Sequence, residues 1–113
     1  MNPTNQPPVT LINVFELTAE RVDEFIEQWR ERAGLLATKP GFVDARLHRA
    51  LSTESRFQLI TVAHWVSRGA WQAATADPGF QQRTEAVSAD ARMLRSADPA
   101  LYEVAVELIA PSR

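Results

Sequence analysis

The chain has 113 residues, a common size for one domain, with 45% hydrophobic and 23% charged residues, as in folded globular proteins. Its net charge is -2 and it has no basic run, which argues against nucleic acid or an anionic membrane surface as a partner. Without cysteine, disulfides and thiolate chemistry are excluded. The N-terminus lacks an apolar targeting stretch, and no apolar run approaches the roughly 20 residues of a membrane span. We therefore expect a cytoplasmic protein.

The first half of the chain predicts a strand followed by a helix. Residues 1–8 are polar and rich in proline, so we expect a flexible arm before a domain at residues 9–110. Residues 9–17 are β-prone and apolar on both faces, as in a central strand. Thr18 is a candidate N-cap for an amphipathic helix that ends at Pro40. The apolar stripe of this helix consists of Val22, Phe25, Ile26, Trp29, Ala33 and Leu36.

The second half predicts a hairpin, two helical pieces and a last strand. Residues 42–51 and 57–66 are β-prone and flank a polar turn. Ser67 is a candidate N-cap for a short helix, and Asp77 restarts the helix with Pro78 at its first position. We expect a loop up to residue 100 and a strand at residues 101–109, because that segment alternates apolar and charged residues.

This βαββαβ order predicts an α+β fold of the ferredoxin-like kind, in which helices cover one face of a four-stranded antiparallel sheet. The strands are apolar on both faces, so the face without helices needs a cover. A second copy of the chain is the simplest cover. We therefore predict a face-to-face homodimer.

Polar residues inside apolar strands are the first candidates for a site. Asn13 interrupts the first strand, where its amide either bridges the backbone or faces a ligand. Thr61 and Trp65 share one face of the third strand, and Trp65 offers an N–H donor. These three residues fit either a core position or a binding site.

The remaining candidates are aromatic or ionisable. Trp29 and Trp71 lie on helices and fit either a core or a flat ligand. His48 and His64 lie in strands as possible proton acceptors, but no third residue completes a metal site, so none is predicted. Arg83 fits either an exposed helix face or a role in stabilising a developing anion.

Five segments together resemble one protein family. They are INVF at 12–15, PGF at 40–42, LHRAL at 47–51, VAHW at 62–65 followed by Ser67, and ADPGF at 76–80. Over about residues 9–82, which contain these segments, the chain is similar to the antibiotic biosynthesis monooxygenase family. The resemblance implies a dimeric α+β barrel. It also implies oxygenase chemistry on an aromatic polyketide of the anthrone kind, on a quinol, or on haem.

The resemblance also implies roles for individual residues. Trp65 matches the strand tryptophan of the anthrone-oxidising members, and Trp71 stands where those enzymes have a pocket tyrosine. Thr61 departs from their usual asparagine, an amide that Asn13 can supply. Against haem degradation, Ala74 and Thr84 stand where the haem degraders have a tryptophan and the iron-binding histidine.

The predicted function is therefore a cofactor-independent monooxygenase that uses dioxygen and a flat aromatic or quinol-type substrate. Asn13 and Trp65 are expected to hydrogen-bond the substrate oxygen, and His48 or His64 to accept its proton. Phe80 joins Trp29 and Trp71 as apolar walls. The alternatives are binding of a hydrophobic metabolite without turnover, binding or degradation of haem, and a purely structural dimer with a filled core.

Overall fold

The computed structural model describes residues 6–90 and 92–112. Its elements are β1 (Val9–Glu16), a 3-10 turn (Ala19–Arg21), α1 (Val22–Ala37), β2 (Phe42–Arg49), β3 (Phe57–Trp65), α2 (Arg68–Thr75), α3 (Pro78–Ala89) and β4 (Ser96–Tyr102). Most of the expected arm, residues 1–5, lies outside the described residues, and residues 6–8 belong to no helix or strand. None of the helices described is long and apolar enough to cross a membrane.

The four strands form one antiparallel sheet in the order β2-β3-β1-β4. This arrangement confirms the predicted ferredoxin-like α+β fold. β1 and β3 are the central strands, and Asn13 pairs directly with Thr61 across them. Because side chains alternate along a strand, both residues face the same side of the sheet.

The helices cover the face to which the odd-numbered residues of β1 and β3 point. The core on that side is built around Phe15, Phe25 and Leu59, and the Phe15 and Phe25 rings lie 4.7 Å apart. A second cluster surrounds Trp65, whose indole meets the ring of Phe42 edge-on at 5.2 Å. These clusters fix α1 against the sheet by burial of large apolar surfaces.

The helix starts differ in how they are capped. Ser67 and Asp77 act as predicted, since their side-chain oxygens accept the N–H of Ala70 at 3.1 Å and of Phe80 at 2.9 Å. The expectation for Thr18 was wrong, because a 3-10 turn intervenes and the Thr18 side chain makes no capping hydrogen bond. The backbone N–H of Phe80, and then the Lys39 ammonium, hold the pKa of Asp77 below its usual value. Its contribution to stability is thus present at neutral pH and falls when acid protonates it.

The last strand was predicted in the wrong place. β4 is Ser96–Tyr102 and pairs with β1 from Glu16 to Thr10, so the last strand begins inside the segment predicted as a loop and ends well before residue 109. As an edge strand, β4 tolerates Pro99, which lacks a backbone donor. Residues 103–112 form no strand within the chain. Their apolar side chains are exposed, and Leu108 reaches 92% exposure.

The opposite face of the sheet has an apolar centre. Ile12 pairs with Val62 and Val14 with Ile60, and the even-numbered positions of both strands point away from the two core clusters. No helix among the described residues packs on this face. The predicted need for a cover therefore persists in the folded chain.

Gly41 is required by the turn between α1 and β2. Its φ is +89°, and a Cβ added there would collide with Ala70 Cβ and lie 2.9 Å from Val66 Cγ2. Both a left-handed backbone and close approach of α2 therefore depend on glycine at this position.

We expect Gly41→Ala to lower the free energy of unfolding by about 1–3 kcal/mol through backbone strain, with a further loss from the clash. Chemical denaturation measures this change. Gly34→Ala is the matched control, because no atom lies within 4 Å of its added Cβ. In a helix interior this control should be neutral or raise stability by up to about 1 kcal/mol. Equal losses in both variants would contradict the argument.

Candidate active site

A cavity of about 120 Å³ lies between the helix-covered face of the sheet and the helices α1 and α3. Its walls are mainly apolar side chains from every strand and from both helices. The lining consists of Leu11, Asn13, Phe15, Phe25, Trp29, Arg32, Ala33, Leu36, Phe42, Ala45, Thr61, Ala63, Trp65, Phe80, Thr84, Val87, Ser88, Leu94 and Ala97.

The size of the cavity matches one aromatic ring. An engineered apolar cavity of about 150 Å³ is known to bind benzene, so about 120 Å³ accepts a small ring with little room to spare. Ser88 and Ala97 are the exposed members of the lining, and both lie near the connection between α3 and β4. The cavity comes closest to solvent there.

Four polar atoms of the lining are buried without a hydrogen-bond partner in the protein. They are Asn13 Oδ1, Arg32 Nη1, Trp65 Nε1 and Thr84 Oγ1. Leaving a buried polar atom unpaired costs about 1–3 kcal/mol, so such atoms are rare in a core that has only a structural role. Their convergence on one cavity is typical of a binding site for a partly polar ligand.

The amide of Asn13 can present either of its ends to a ligand. A half-turn of the side chain exchanges the carbonyl oxygen and the amino group with little change of shape, so the site can accept or donate a hydrogen bond. Trp65 offers only its N–H, and the residue is 1% exposed. Asn13 and Trp65 thus line one cavity, as the predicted site requires, while their roles remain a prediction.

Thr61 and Trp29 form a pair inside the same cavity. Trp29 Nε1 donates to Thr61 Oγ1 at 2.9 Å, which joins α1 to β3 across the site. The hydroxyl proton of Thr61 stays available for a ligand, because a hydroxyl donates as well as accepts. Phe80 contributes an apolar wall from α3.

Arg32 is the feature of the site that the sequence analysis missed. It is 8% exposed, and its guanidinium lies 5.1 Å from the centre of the Phe25 ring, within cation–π distance. Burial lowers the pKa of the Arg32 guanidinium from its usual value. Arg32 continues the helical stripe of Phe25, Trp29 and Leu36, and a charged residue on that stripe was the available signal.

Four candidates do not line the cavity. Trp71 lines a separate surface recess beside Tyr102. His48 and His64 point to the opposite face of the sheet, where His64 Nδ1 lies 2.5 Å from Asp44 Oδ1. Arg83 donates to Glu31 at the surface, at 2.9 Å. The geometry therefore gives these four residues no part in the cavity of a single chain.

Two substitutions separate an unpaired polar group from a paired one. We expect Asn13→Leu to raise the free energy of unfolding by about 1 kcal/mol, because it removes an unpartnered acceptor. Thr61→Val, which is similar in volume, should lower it by about 1–3 kcal/mol, because Trp29 Nε1 loses its acceptor. Chemical denaturation gives both values. Losses of equal size in both variants would show that Asn13 has a structural partner.

The comparisons with known proteins agree with this geometry. The model of the antibiotic biosynthesis monooxygenase family matches residues 8–86. A search of curated proteins finds no significant match. Among solved structures, a protein of Shewanella loihica PV-4, provisionally described as a monooxygenase, is 32% identical with a TM-score of 0.72. The match covers 89% of this chain and 97% of that one.

A second solved structure is SnoaB of Streptomyces nogalater, described as a cofactor-independent oxygenase. It is 26% identical with a TM-score of 0.75, and the match covers 90% of this chain and 97% of SnoaB. The family match and these neighbours support a monooxygenase-type function. The family model matches most of the length of this chain, and the chain therefore belongs to the antibiotic biosynthesis monooxygenase family.

Proposed function

We propose that the protein is a cofactor-independent monooxygenase that oxidises a flat aromatic phenol or quinol with dioxygen. One observation carries the proposal. An apolar cavity of the size of a ring is lined by Trp65 and Asn13, whose Nε1–H and Oδ1 are buried without a hydrogen-bond partner, and we assign the binding of a ring oxygen to these two side chains. The likeness to SnoaB, a cofactor-independent oxygenase, supports the same chemistry.

The proposed reaction requires few chemical groups from the protein. The anion of a quinol or of an anthrone-like phenol is electron-rich enough to reduce dioxygen itself. One oxygen atom then enters the ring and the other leaves as water, so that a phenol and dioxygen become a quinone and water. The site must hold the ring, stabilise its anionic oxygen with hydrogen bonds and keep the intermediate dry. We assign the hydrogen bonds to Asn13 and Trp65, and the dry walls to Trp29 and Phe80.

The cavity volume limits the size of the substrate. A single-ring phenol or quinol fits the space of about 120 Å³ as it stands. The three fused rings of an anthrone need more room, which an outward movement of α3 near Ser88 can provide. The proposal therefore ranks substrates by ring number, with one ring ahead of three.

Haem does not fit this cavity. No histidine lies among the described residues that line it, and a porphyrin is several times larger than the enclosed space. His48 and His64 lie on the other face of the sheet, so neither reaches this space from within the chain. Haem binding or degradation in this cavity is thus not supported.

Binding of an aromatic metabolite without turnover is a second candidate. The lining holds no carboxylate and no histidine among the described residues, so these residues supply no evident base for a phenol. A ligand that does not ionise in the cavity would bind without reacting. Compounds that ionise easily are therefore the ones that distinguish turnover from binding alone.

Oxygen consumption tests the proposed function. We expect the purified protein to take up oxygen with at least one member of a panel of hydroquinones, naphthols and anthrones. Asn13→Ala and Trp65→Phe should each lower kcat/KM by roughly 100-fold, the usual effect of removing one donor to a developing oxyanion. Gln72→Ala, on the exposed side of α2, is the control and should keep full activity.

Each outcome of this assay has a clear meaning. Uptake that falls in both site variants and persists in the control supports the monooxygenase. Uptake that is unchanged in Asn13→Ala and Trp65→Phe would overturn the assignment. Phenols that bind without any oxygen uptake would favour the binding function instead.

We also propose that two copies form a homodimer across the open face of the sheet. The apolar centre at Ile12, Val14, Ile60 and Val62 supports this proposal, because an apolar patch on a sheet rarely stays open to water. The exposed segment after β4 supports it independently. Val104, Val106 and Leu108 alternate along that segment like a strand that lacks a neighbour.

A second copy explains both features together. A two-fold axis brings the same apolar face of each subunit into contact, and the segment after β4 of each chain can then extend along its partner. A partner that covered only the sheet would leave Val106 at 78% exposure and Leu108 at 92%. The fold resemblance implies the same assembly.

Light scattering after size exclusion tests the dimer. We expect the mass of two chains, and we expect Val62→Glu and the double variant Val106→Glu with Leu108→Glu each to shift it toward one chain, because a buried unpaired carboxylate is costly. Ala73→Glu, on the exposed side of α2, is the control and should remain dimeric. A wild-type protein with the mass of one chain at micromolar concentration would overturn the proposal.

A further inference from the structure

Arg32 is the one ionisable side chain among the described residues that line the cavity. It is 8% exposed, its Nη1 atom has no hydrogen-bond partner, and no described carboxylate lies within 4.0 Å of it. Desolvating a cation without a counter-charge costs several kcal/mol, so buried charges in proteins are normally paired. The described part of the chain therefore supplies no counter-charge for Arg32.

The nearest acidic groups are engaged elsewhere. Glu31 and Asp90 border the surface recess that Arg32 also touches. Glu31 accepts from Arg83 at 2.9 Å, while Asp90 Oδ1 accepts the backbone N–H of Arg92 at 3.1 Å. Neither carboxylate forms an ion pair with Arg32. The Arg32 guanidinium thus has no ion-pair partner among the described residues on either side, while its Nη1 atom is buried.

We infer that Arg32 is an anion site, and that the cavity takes a one-ring aromatic ligand whose carboxylate or phenolate oxygen binds the guanidinium. The inference deepens the proposed function and rests on it for the identity of the cavity as the substrate site. It adds that the ligand carries a negative charge on oxygen. A guanidinium recognises such a group through charge-assisted hydrogen bonds.

The surroundings of Arg32 suit this ligand class. The Phe25 ring under the guanidinium holds it in place through a cation–π contact, which leaves the N–H groups free. The hydroxyl of Thr84, also unpartnered, is a second hydrogen-bond donor in the same lining. The apolar residues around them bind the ring, and the cavity volume restricts it to one ring.

This arrangement also explains how a phenol could ionise although the described lining residues include no evident base. A cation beside a bound phenol favours the phenolate, because an opposite charge lowers the pKa of the ionising group. A phenol can then release its proton to water as it enters, and no carboxylate or histidine is needed. A ligand with a carboxylate would use the same contact as an anchor.

Ligand binding without turnover tests the inference. Benzoate and its neutral analogue benzamide have one ring and nearly the same shape, so calorimetric titration of both isolates the charge. We expect the wild-type protein to bind benzoate more tightly than benzamide. Arg32→Met should weaken the binding of benzoate roughly 10- to 100-fold, as expected when a hydrogen bond to a charged group is lost, and should leave the affinity for benzamide unchanged.

Arg32→Lys separates charge from the shape of the guanidinium. It keeps a cation at the site, so it should bind benzoate better than Arg32→Met does. That difference would also show that the weaker binding by Arg32→Met does not come from a general loss of folding. 4-Nitrophenol extends the test to phenols, because its phenolate is coloured. Near its own pKa, we expect the wild-type protein to increase the phenolate absorbance and Arg32→Met to leave it unchanged.

Thermal unfolding provides a readout that a purely structural arginine would not give. Removing an unpaired buried charge relieves its desolvation cost, so Arg32→Met without ligand should have a Tm equal to or above that of the wild type. Its Tm should no longer rise with benzoate. A large drop in Tm with unchanged discrimination between benzoate and benzamide would mean a structural role and would overturn the inference.

The inference and the proposed function fail separately. If the binding of benzoate depends on Arg32 but no phenol supports oxygen uptake, the anion site stands and the monooxygenase proposal fails. If phenols are oxidised and neither benzoate nor 4-nitrophenol responds to Arg32→Met, the anion site is wrong while the oxygenase stands.

Discussion

The pairing of β1 with β3 is the constraint on which the rest of the molecule depends. Each residue of these central strands has a fixed partner, so alternation divides them into a face toward the helices and a face toward the outside. Asn13 and Thr61 are opposite one another on the helix side, which places two polar groups in an apolar layer. A shift of one residue would exchange the site with the apolar patch around Ile12 and Val62.

The polar groups of the candidate site lower the stability of the fold. Trp65 Nε1, Arg32 Nη1 and the oxygens of Asn13 and Thr84 are buried without partners, and each lowers the stability of the empty protein. The clusters around Phe25 and Trp65 offset this cost through burial of apolar surface. A chain selected for stability alone would place apolar residues at these positions, which supports the proposal that the cavity binds a ligand.

The sequence predicted the elements that depend on local chemistry and missed those that depend on distant contacts. Ser67 and Asp77 began their helices as expected, because a cap acts within a few residues. β4 was misplaced, because residues 101–109 have the better strand pattern and only pairing with β1 selects Ser96–Tyr102. Asn13, Thr61 and Trp65 meet at one cavity, as alternation allowed. Arg32 was overlooked because only its burial separates it from an exposed helix charge.

Among the described residues, the cavity lining has one cation, Arg32, and no evident base, so under the proposed function the acidity of the ligand itself would decide which phenols react. Trp65 and Asn13 can stabilise an oxyanion once it exists, yet neither removes a proton at neutral pH. Under the proposed function, deprotonation of the phenol must then be favourable by itself, which favours phenols that ionise readily or become acidic beside Arg32. We propose that binding and activation coincide in this site, because the phenolate that Arg32 would hold is also the form of the ring that reduces dioxygen.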